Sequence, residues 1–144
     1  VLEFNVRLGD PETQPIFMRL QTDLVDIIEA TLNSQLSTLN TLEWEPRPAV
    51  CVVVAAEGYP GAYMKGKAIT GLDAAATVTD SKVFHAGTTI RDGKVVTDGG
   101  RVLGVTALGD SFLDAKRRAY EAADKIHFSG GWCRRDIARK ALTA

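Results

Sequence analysis

Residues 49–56 read Ala-Val-Cys-Val-Val-Val-Ala-Ala, an unbroken apolar run rich in β-branched valine. A short continuous run of this kind predicts a central strand. The segments that follow read as its neighbours. Gly58-Tyr59-Pro60-Gly61 is turn chemistry. Val83-Phe84-His85 and Thr88-Thr89-Ile90 flank Ala86-Gly87 as short strands. Arg91-Asp92-Gly93-Lys94 predicts a hairpin turn into Val95-Val96-Thr97. Asp98-Gly99-Gly100 predicts another turn, and residues 101–108 a further strand. Gly109-Asp110-Ser111 then caps a long helix. Its expected buried stripe is Phe112, Ala115, Ala119, Ala122 and Ile126, with Lys116, Arg117, Glu121, Asp124 and Lys125 mostly outside. Residues 134–142 suggest a last short helix. Mostly antiparallel strands followed by a packed helix predict an α+β domain.

The amino-terminal third has a different texture. Leu2, Phe4, Val6 and Leu8 alternate with Glu3, Asn5 and Arg7, the period-two signal of a half-buried strand. The sequence opens inside that pattern, so the expectation is that its partner strands lie upstream of Val1. Asp10 is a candidate helix N-cap, with Pro11 at the first helical position and Glu12 at the positive end. The run to about Leu20 reads as a short helix that Pro15 disturbs. Leu24, Ile27, Ile28 and Leu32 then recur at helical spacing behind Asp23 and fade near Asn33-Ser34. The polar stretch over residues 34–40 is the expected boundary, dividing the chain into 1–35 and 36–144. Leu42-Glu43-Trp44 is strand-like.

Composition narrows the class. Among 144 residues, 17 Lys and Arg balance 18 Asp and Glu, which gives no support to a polyanion-binding surface. No apolar run reaches the roughly 18 residues of a membrane helix, and no segment resembles a signal peptide. Two cysteines make neither a disulfide framework nor a four-ligand zinc site. The expectation is a soluble cytoplasmic protein with no nucleic-acid or membrane partner.

Chemistry concentrates near the start. Glu3, Asn5 and Arg7 share one strand face, with alternate side chains about 7 Å apart. A carboxylate and an amide oxygen so placed can both reach one hard cation, and magnesium takes oxygen ligands while sharing nucleotide phosphates. Arg7 offers a guanidinium fork for a phosphate or carboxylate. Asp10 and Glu12 add carboxylates at the strand's end. Together they suit phosphoryl transfer, where catalysis is largely positioning and charge neutralisation. The competing reading is an ordinary solvated sheet face.

Glu3-Phe4-Asn5-Val6-Arg7-Leu8-Gly9-Asp10-Pro11-Glu12-Thr13-Gln14 resembles the segment that marks the phosphoribosylamine–glycine ligases (glycinamide ribonucleotide synthetases). The family's Arg, aromatic or Leu, Gly-Asp-Pro-Glu signature stands unbroken at residues 7–12. Gly58-Tyr59-Pro60-Gly61, Val83-Phe84-His85-Ala86-Gly87-Thr88, Gly99-Gly100-Arg101-Val102-Leu103, Val105-Thr106-Ala107-Leu108-Gly109, Ala119-Tyr120 and Arg135-Asp136-Ile137 resemble that family's C-terminal region, in order. The resemblance implies the tail of an ATP-grasp core, one strand plus helices, followed by a C-terminal domain of mainly antiparallel sheet with packed helices. It implies an ATP-dependent ligase of purine biosynthesis that joins glycine to 5-phosphoribosylamine through glycyl phosphate. On that resemblance Glu3 and Asn5 hold Mg²⁺ or Mn²⁺ at the ATP phosphates. Arg7 steadies the transferring phosphoryl group or a substrate anion, and Asp10 and Glu12 shape the amine or glycine side. The family's amino-terminal ATP-grasp regions, with most of the ATP pocket, are absent from this sequence, so the chain alone is expected to be inactive. The alternative is a stand-alone, non-catalytic domain that docks on a partner or binds a small anion.

The remaining polar candidates read more plainly. Cys51 and Cys133 are read as packed small hydrophobes, although the two arginines after Cys133 could lower its thiol pKa. His85 and His127 read as structural. Gly87, Gly99 and Gly100 read first as turn residues; because the family's C-terminal domain closes against the ATP-grasp core, the resemblance also implies that their loops could line that cleft, where Arg101 could meet a phosphate. Lys116-Arg117-Arg118 reads as the wet face of a helix.

Overall fold

The computed structural model describes residues 4, 6–35 and 42–142. β1 (Ala49–Ala56) and β5 (Arg101–Leu108) form the middle of a sheet ordered β2–β5–β1–β6, with every pairing antiparallel. β2 (Ser81–His85) lies outside β5, and the short β6 (Gly131–Cys133) lies outside β1. The apolar run over 49–56 is therefore central, as its composition predicts. Register sorts the side chains into two faces. Val50, Val52 and Val54 stand opposite Ala107, Val105 and Leu103, and all six are buried. Cys51 and Val53 stand opposite Thr106 and Gly104 on the other face.

α4 (Phe112–Ala123) covers the first face. Its N-cap is Ser111, whose Oγ accepts from the Asp114 amide at 3.1 Å, in the loop where the sequence places a cap. Ala115, Ala119 and Ala122 are fully buried against the valines, and alanines let helix and sheet approach closely. Phe112 departs from the expected stripe and stays exposed at the first turn. Arg118 departs the other way. It turns in from the expected wet face, and its Nη1 donates to Asp80 Oδ2 at 2.7 Å and to the Leu108 carbonyl at 3.0 Å. Arg47 Nη1 reaches the same Asp80 oxygen at 3.0 Å, so one carboxylate ties α4 and the approach to β1 together at the foot of β2. α3 (Leu72–Ala76), too short to announce itself by periodicity, packs beside α4 and β2.

The hairpin β3 (Thr88–Arg91) and β4 (Lys94–Thr97) forms its own two-stranded sheet. Asp92 and Gly93 both have positive φ, 49° and 71°, the pattern of a type I′ turn.

α1 (Thr13–Arg19) lies against β1 and β5, with Gln14 packed over Gly104 beside Cys51. It begins later than Asp10 predicts. Asp10 caps nothing, because its carboxylate is taken by Gln14 and Arg101, and Glu12 occupies the N-cap position without a side-chain bond. Pro15 falls in the first turn, where a missing N–H costs no helical bond, so it does not break the helix. α2 (Leu24–Leu32) is capped by Asp23, which accepts from the Val25 amide at 2.7 Å.

Three expected elements differ. Phe4 and residues 6–8 carry no strand, while the rest of that pattern, Leu2, Glu3 and Asn5, lies outside the described residues. Phe4 and Val6 are 85% and 98% exposed; a strand is held by its ladder, and no strand of the described sheets pairs with this segment. Leu42-Glu43-Trp44 makes only a single bridge, Leu20 to Trp44. Residues 134–142 form turns and a 3₁₀ turn at Lys140–Leu142, not a full helix; positive φ at Ala138 interrupts it. Of the expected boundary stretch over 34–40, residues 36–40 lie outside the described residues.

Leu103 is fully buried between β1 and α4, so Leu103→Ala is expected to lower unfolding free energy by about 3 kcal/mol. Ile90→Ala, at a side chain 72% exposed on the hairpin, is expected to change it by less than about 0.5 kcal/mol. Urea denaturation of both variants checks the contrast.

Candidate functional site

The candidate residues enter the fold just before α1. Glu3 and Asn5 lie outside the described residues. Arg7 is exposed, and its Nη1 donates at 3.0 Å to the neighbouring Leu8 carbonyl. Glu12 is exposed and lies against Gly9, close enough that a Cβ on Gly9 would meet its Oε2 at 2.3 Å. Among the described candidates, Asp10 is the member tied to the rest of the chain. Its Oδ1 accepts from Gln14 Nε2 at 3.2 Å, and its Oδ2 lies 3.4 Å from Arg101 Nη1. The same Arg101 Nη1 also donates to the Asp10 carbonyl. Residues 91 apart in sequence thus meet: the loop before α1 and the start of β5.

Arg101 is itself built into the start of β5. Its Nε donates to the Tyr59 hydroxyl at 2.9 Å, and its guanidinium lies 5.8 Å from the centre of the Tyr59 ring. That bond to Tyr59 is the main cause that lifts Arg101 further above its ordinary pKa, with the Asp10 charge adding to it. Gly100 makes the seat. A Cβ there would lie 2.2 Å from Tyr59 Cδ2 and 3.0 Å from Tyr63 Cε1, so only glycine lets both rings rest on the β5 backbone. The turn Gly58-Tyr59-Pro60-Gly61 and the motif Gly99-Gly100-Arg101 thereby become one contact.

Beside this contact lies a cavity of about 270 Å³. Pro11 borders it on one side and Tyr59, Arg101, Trp132 and Arg134 on others, with Cys51 and Val53 in its floor. Arg134 is held in a fork by Asp136, with Nε to Oδ1 at 2.9 Å and Nη2 to Oδ2 at 2.7 Å. Trp132 Nε1 donates to the Ala56 carbonyl at 3.2 Å. Sequence reading singled out neither Tyr59 as a partner of Arg101 nor Trp132 and Arg134 as a wall. Tyr59 carries a signal in its turn motif; Trp132 sits on a strand of three residues that no periodicity marks.

The other candidates keep structural settings. His85 Nδ1 pairs with Thr88 Oγ1 at 2.9 Å across the tight connection between β2 and β3. Burial pushes the Cys51 thiol up, offset in part by the Thr106 hydroxyl. Burial also pushes Cys133 up and outweighs the lowering by Arg135. No three His, Cys, Asp or Glu side chains among the described residues converge to hold a metal ion, and the metal candidates Glu3 and Asn5 lie outside those residues. No helix among the described residues is long and apolar enough to cross a membrane.

Residues 49–140 match the family described as "Phosphoribosylglycinamide synthetase, C domain". A phosphoribosylamine–glycine ligase of Rhodopirellula baltica is 58% identical over 142 residues, which cover 99% of this chain and 32% of that protein. The ligase of Vibrio cholerae is 51% identical over 142 residues, covering 99% of this chain and 33% of its own length. The crystal structure of phosphoribosylamine–glycine ligase from Thermotoga maritima superposes with a TM-score of 0.67 at 44% identity, covering 94% of this chain and 32% of that one. The chain spans about a third of the length of the curated relatives it matches.

Because burial raises both thiols, each holds less thiolate near neutral pH than an unperturbed cysteine. Alkylation by iodoacetamide at pH 8, followed by mass spectrometry, is expected to run several-fold slower at Cys51 than at glutathione, with Cys133 also slowed.

Proposed function

The chain belongs to the phosphoribosylglycinamide synthetase family, and from that premise we propose that it works as the C-terminal part of an ATP-dependent carbon–nitrogen ligase. The reaction is the joining of glycine to 5-phosphoribosylamine, giving glycinamide ribonucleotide, ADP and phosphate in purine biosynthesis in the cytoplasm. The observation that carries this reading is identity to such a ligase along 99% of the chain. A stand-alone docking domain is not favoured, since that identity covers the candidate site segment together with the sheet.

In this reading the glycine carboxylate attacks the γ-phosphate of ATP to give glycyl phosphate and ADP. The amine then attacks the acyl carbon and phosphate departs. The chemistry needs no covalent protein nucleophile, so the chain's residues act by placing charge. Arg7 is assigned to the transferring phosphoryl group: its guanidinium is solvent-facing and, among the described residues, bonded only to the adjacent carbonyl, which leaves donors for an anion. Asp10 and Glu12 are assigned to the amine or glycine side, next to the cavity that Pro11 borders. Glu3 and Asn5 are assigned as ligands of a Mg²⁺ or Mn²⁺ ion, which supplies charge neutralisation at the ATP phosphates when bound. The regions that hold most of ATP are assigned to the other two thirds of such a ligase.

The test is turnover by the full-length ligase carrying this segment, measured as glycine- and amine-dependent ADP release. Glu3→Ala and Asn5→Ala are each expected to lower kcat by about a hundredfold or more with an unchanged circular dichroism spectrum. Wild-type turnover in both variants would sink the metal assignment, and a full-length protein that makes no glycinamide ribonucleotide would sink the ligase reading. The 144-residue chain alone is expected to give no magnesium-dependent ATP binding by calorimetry.

A further inference from the structure

We infer that Tyr59 and Arg101 form a positioning clamp that sets the Asp10 loop for the amine or glycine end of the reaction, an inference that rests on the ligase reading for its role but not for its geometry. Tyr59 is seated on the Gly100 backbone and so has one fixed place for its hydroxyl. That hydroxyl takes the Nε–H of Arg101 at 2.9 Å, which fixes the direction of the guanidinium plane. The far nitrogen, Nη1, reaches both the carbonyl and the carboxylate of Asp10. Gln14 Nε2 holds the other carboxylate oxygen from the first turn of α1. Asp10 is therefore gripped at three points, by two elements, while Arg7 and Glu12 have no such partner from the sheet among the described residues.

Magnitude decides what the clamp is for. The Arg101 and Asp10 side chains are 39% and 48% exposed, and ion pairs that open to water add little to stability. A contact so placed contributes direction. Arginine is needed for that, because its planar fork spans the hydroxyl and the loop at once, whereas a lysine ammonium is a single point on a flexible stem. Arg101, which Asp10 Oδ2 approaches at 3.4 Å, lines the cavity together with Pro11, the residue after Asp10.

The variants are Tyr59→Phe, Arg101→Met and Arg101→Lys, made in the 144-residue chain and in the full-length ligase. In the chain, hydrogen exchange is read at the Thr13 amide, which bonds to the Gly9 carbonyl at 3.0 Å across the clamped loop. Exchange there is expected to quicken by about tenfold while the β1 and β5 amides keep their protection. In the ligase, kcat/KM for the amine or for glycine is expected to fall by roughly tenfold to a hundredfold, with KM for ATP unchanged. Arg101→Lys is expected to behave like Arg101→Met. Unchanged Thr13 exchange in all three variants overturns the clamp, whatever the ligase does. Faster exchange with wild-type kinetics overturns its role in the reaction, and wild-type behaviour of Arg101→Lys overturns the geometric argument in favour of charge alone. A ligase that fails before mutation refutes the functional reading and leaves the exchange result to judge the clamp.

Discussion

The ladder between β1 and β5 runs from Ala49 opposite Leu108 to Ala55 opposite Arg101, and the other elements take their places from it. Because side chains alternate across a strand, this one register decides two things together. It gathers Val50, Val52, Val54, Leu103, Val105 and Ala107 on the face that α4 covers. It also leaves Cys51, Val53, Gly104 and Thr106 for the face that α1 meets. A slip of one residue would exchange the faces and set the valines against Gln14. The register also ends where it is needed: an irregularity between Val54 and Ala55 brings Arg101 opposite Ala55 at the mouth of the cavity.

Much of this arrangement is legible in the sequence, and the legible parts share a cause. The run over 49–56, the strand over 101–108, the Asp92-Gly93 turn and the Ser111 cap are each dictated locally, by apolar continuity, by positive φ or by one side-chain oxygen. What fails to show is set by partners far along the chain. The alternation of Leu2 to Leu8 has the period of a strand, yet Phe4 and residues 6–8 pair with no strand of the described sheets and lie open to water. Arg118 has the spacing of a solvent-facing residue, but Asp80, 38 positions away, draws it in. β6 is too short for any pattern and exists because β1 offers an edge.

The candidate site divides in the same way. The types and spacing of Glu3, Asn5, Arg7, Asp10 and Glu12 are visible in the sequence, and the resemblance gives them roles. The support of Asp10 is not visible, because it is supplied by Tyr59 and Arg101 from two motifs that lie 42 residues apart. The sequence marks both motifs through glycines, and the reason emerges only in three dimensions: Gly100 is bare so that a tyrosine ring can lie on it.

The two faces of the sheet are not equivalent, and the difference bears on how a site at its edge can work. α4 drives four alanines into the apolar core. α1 buries no residue of its own. Beneath it Gln14 Oε1 is buried with no hydrogen-bond partner among the described residues, an arrangement that costs stability. The first contact is a permanent core; the second is a light, partly polar docking that burial alone does not hold in one place. A loop carried on such a helix needs directional bonds to define its position, since apolar area is indifferent to small slides and tilts. The bonds from Arg101 and Gln14 to Asp10 are of that directional kind. They anchor the weaker side of the sandwich to the strand whose own place is fixed by the stronger side.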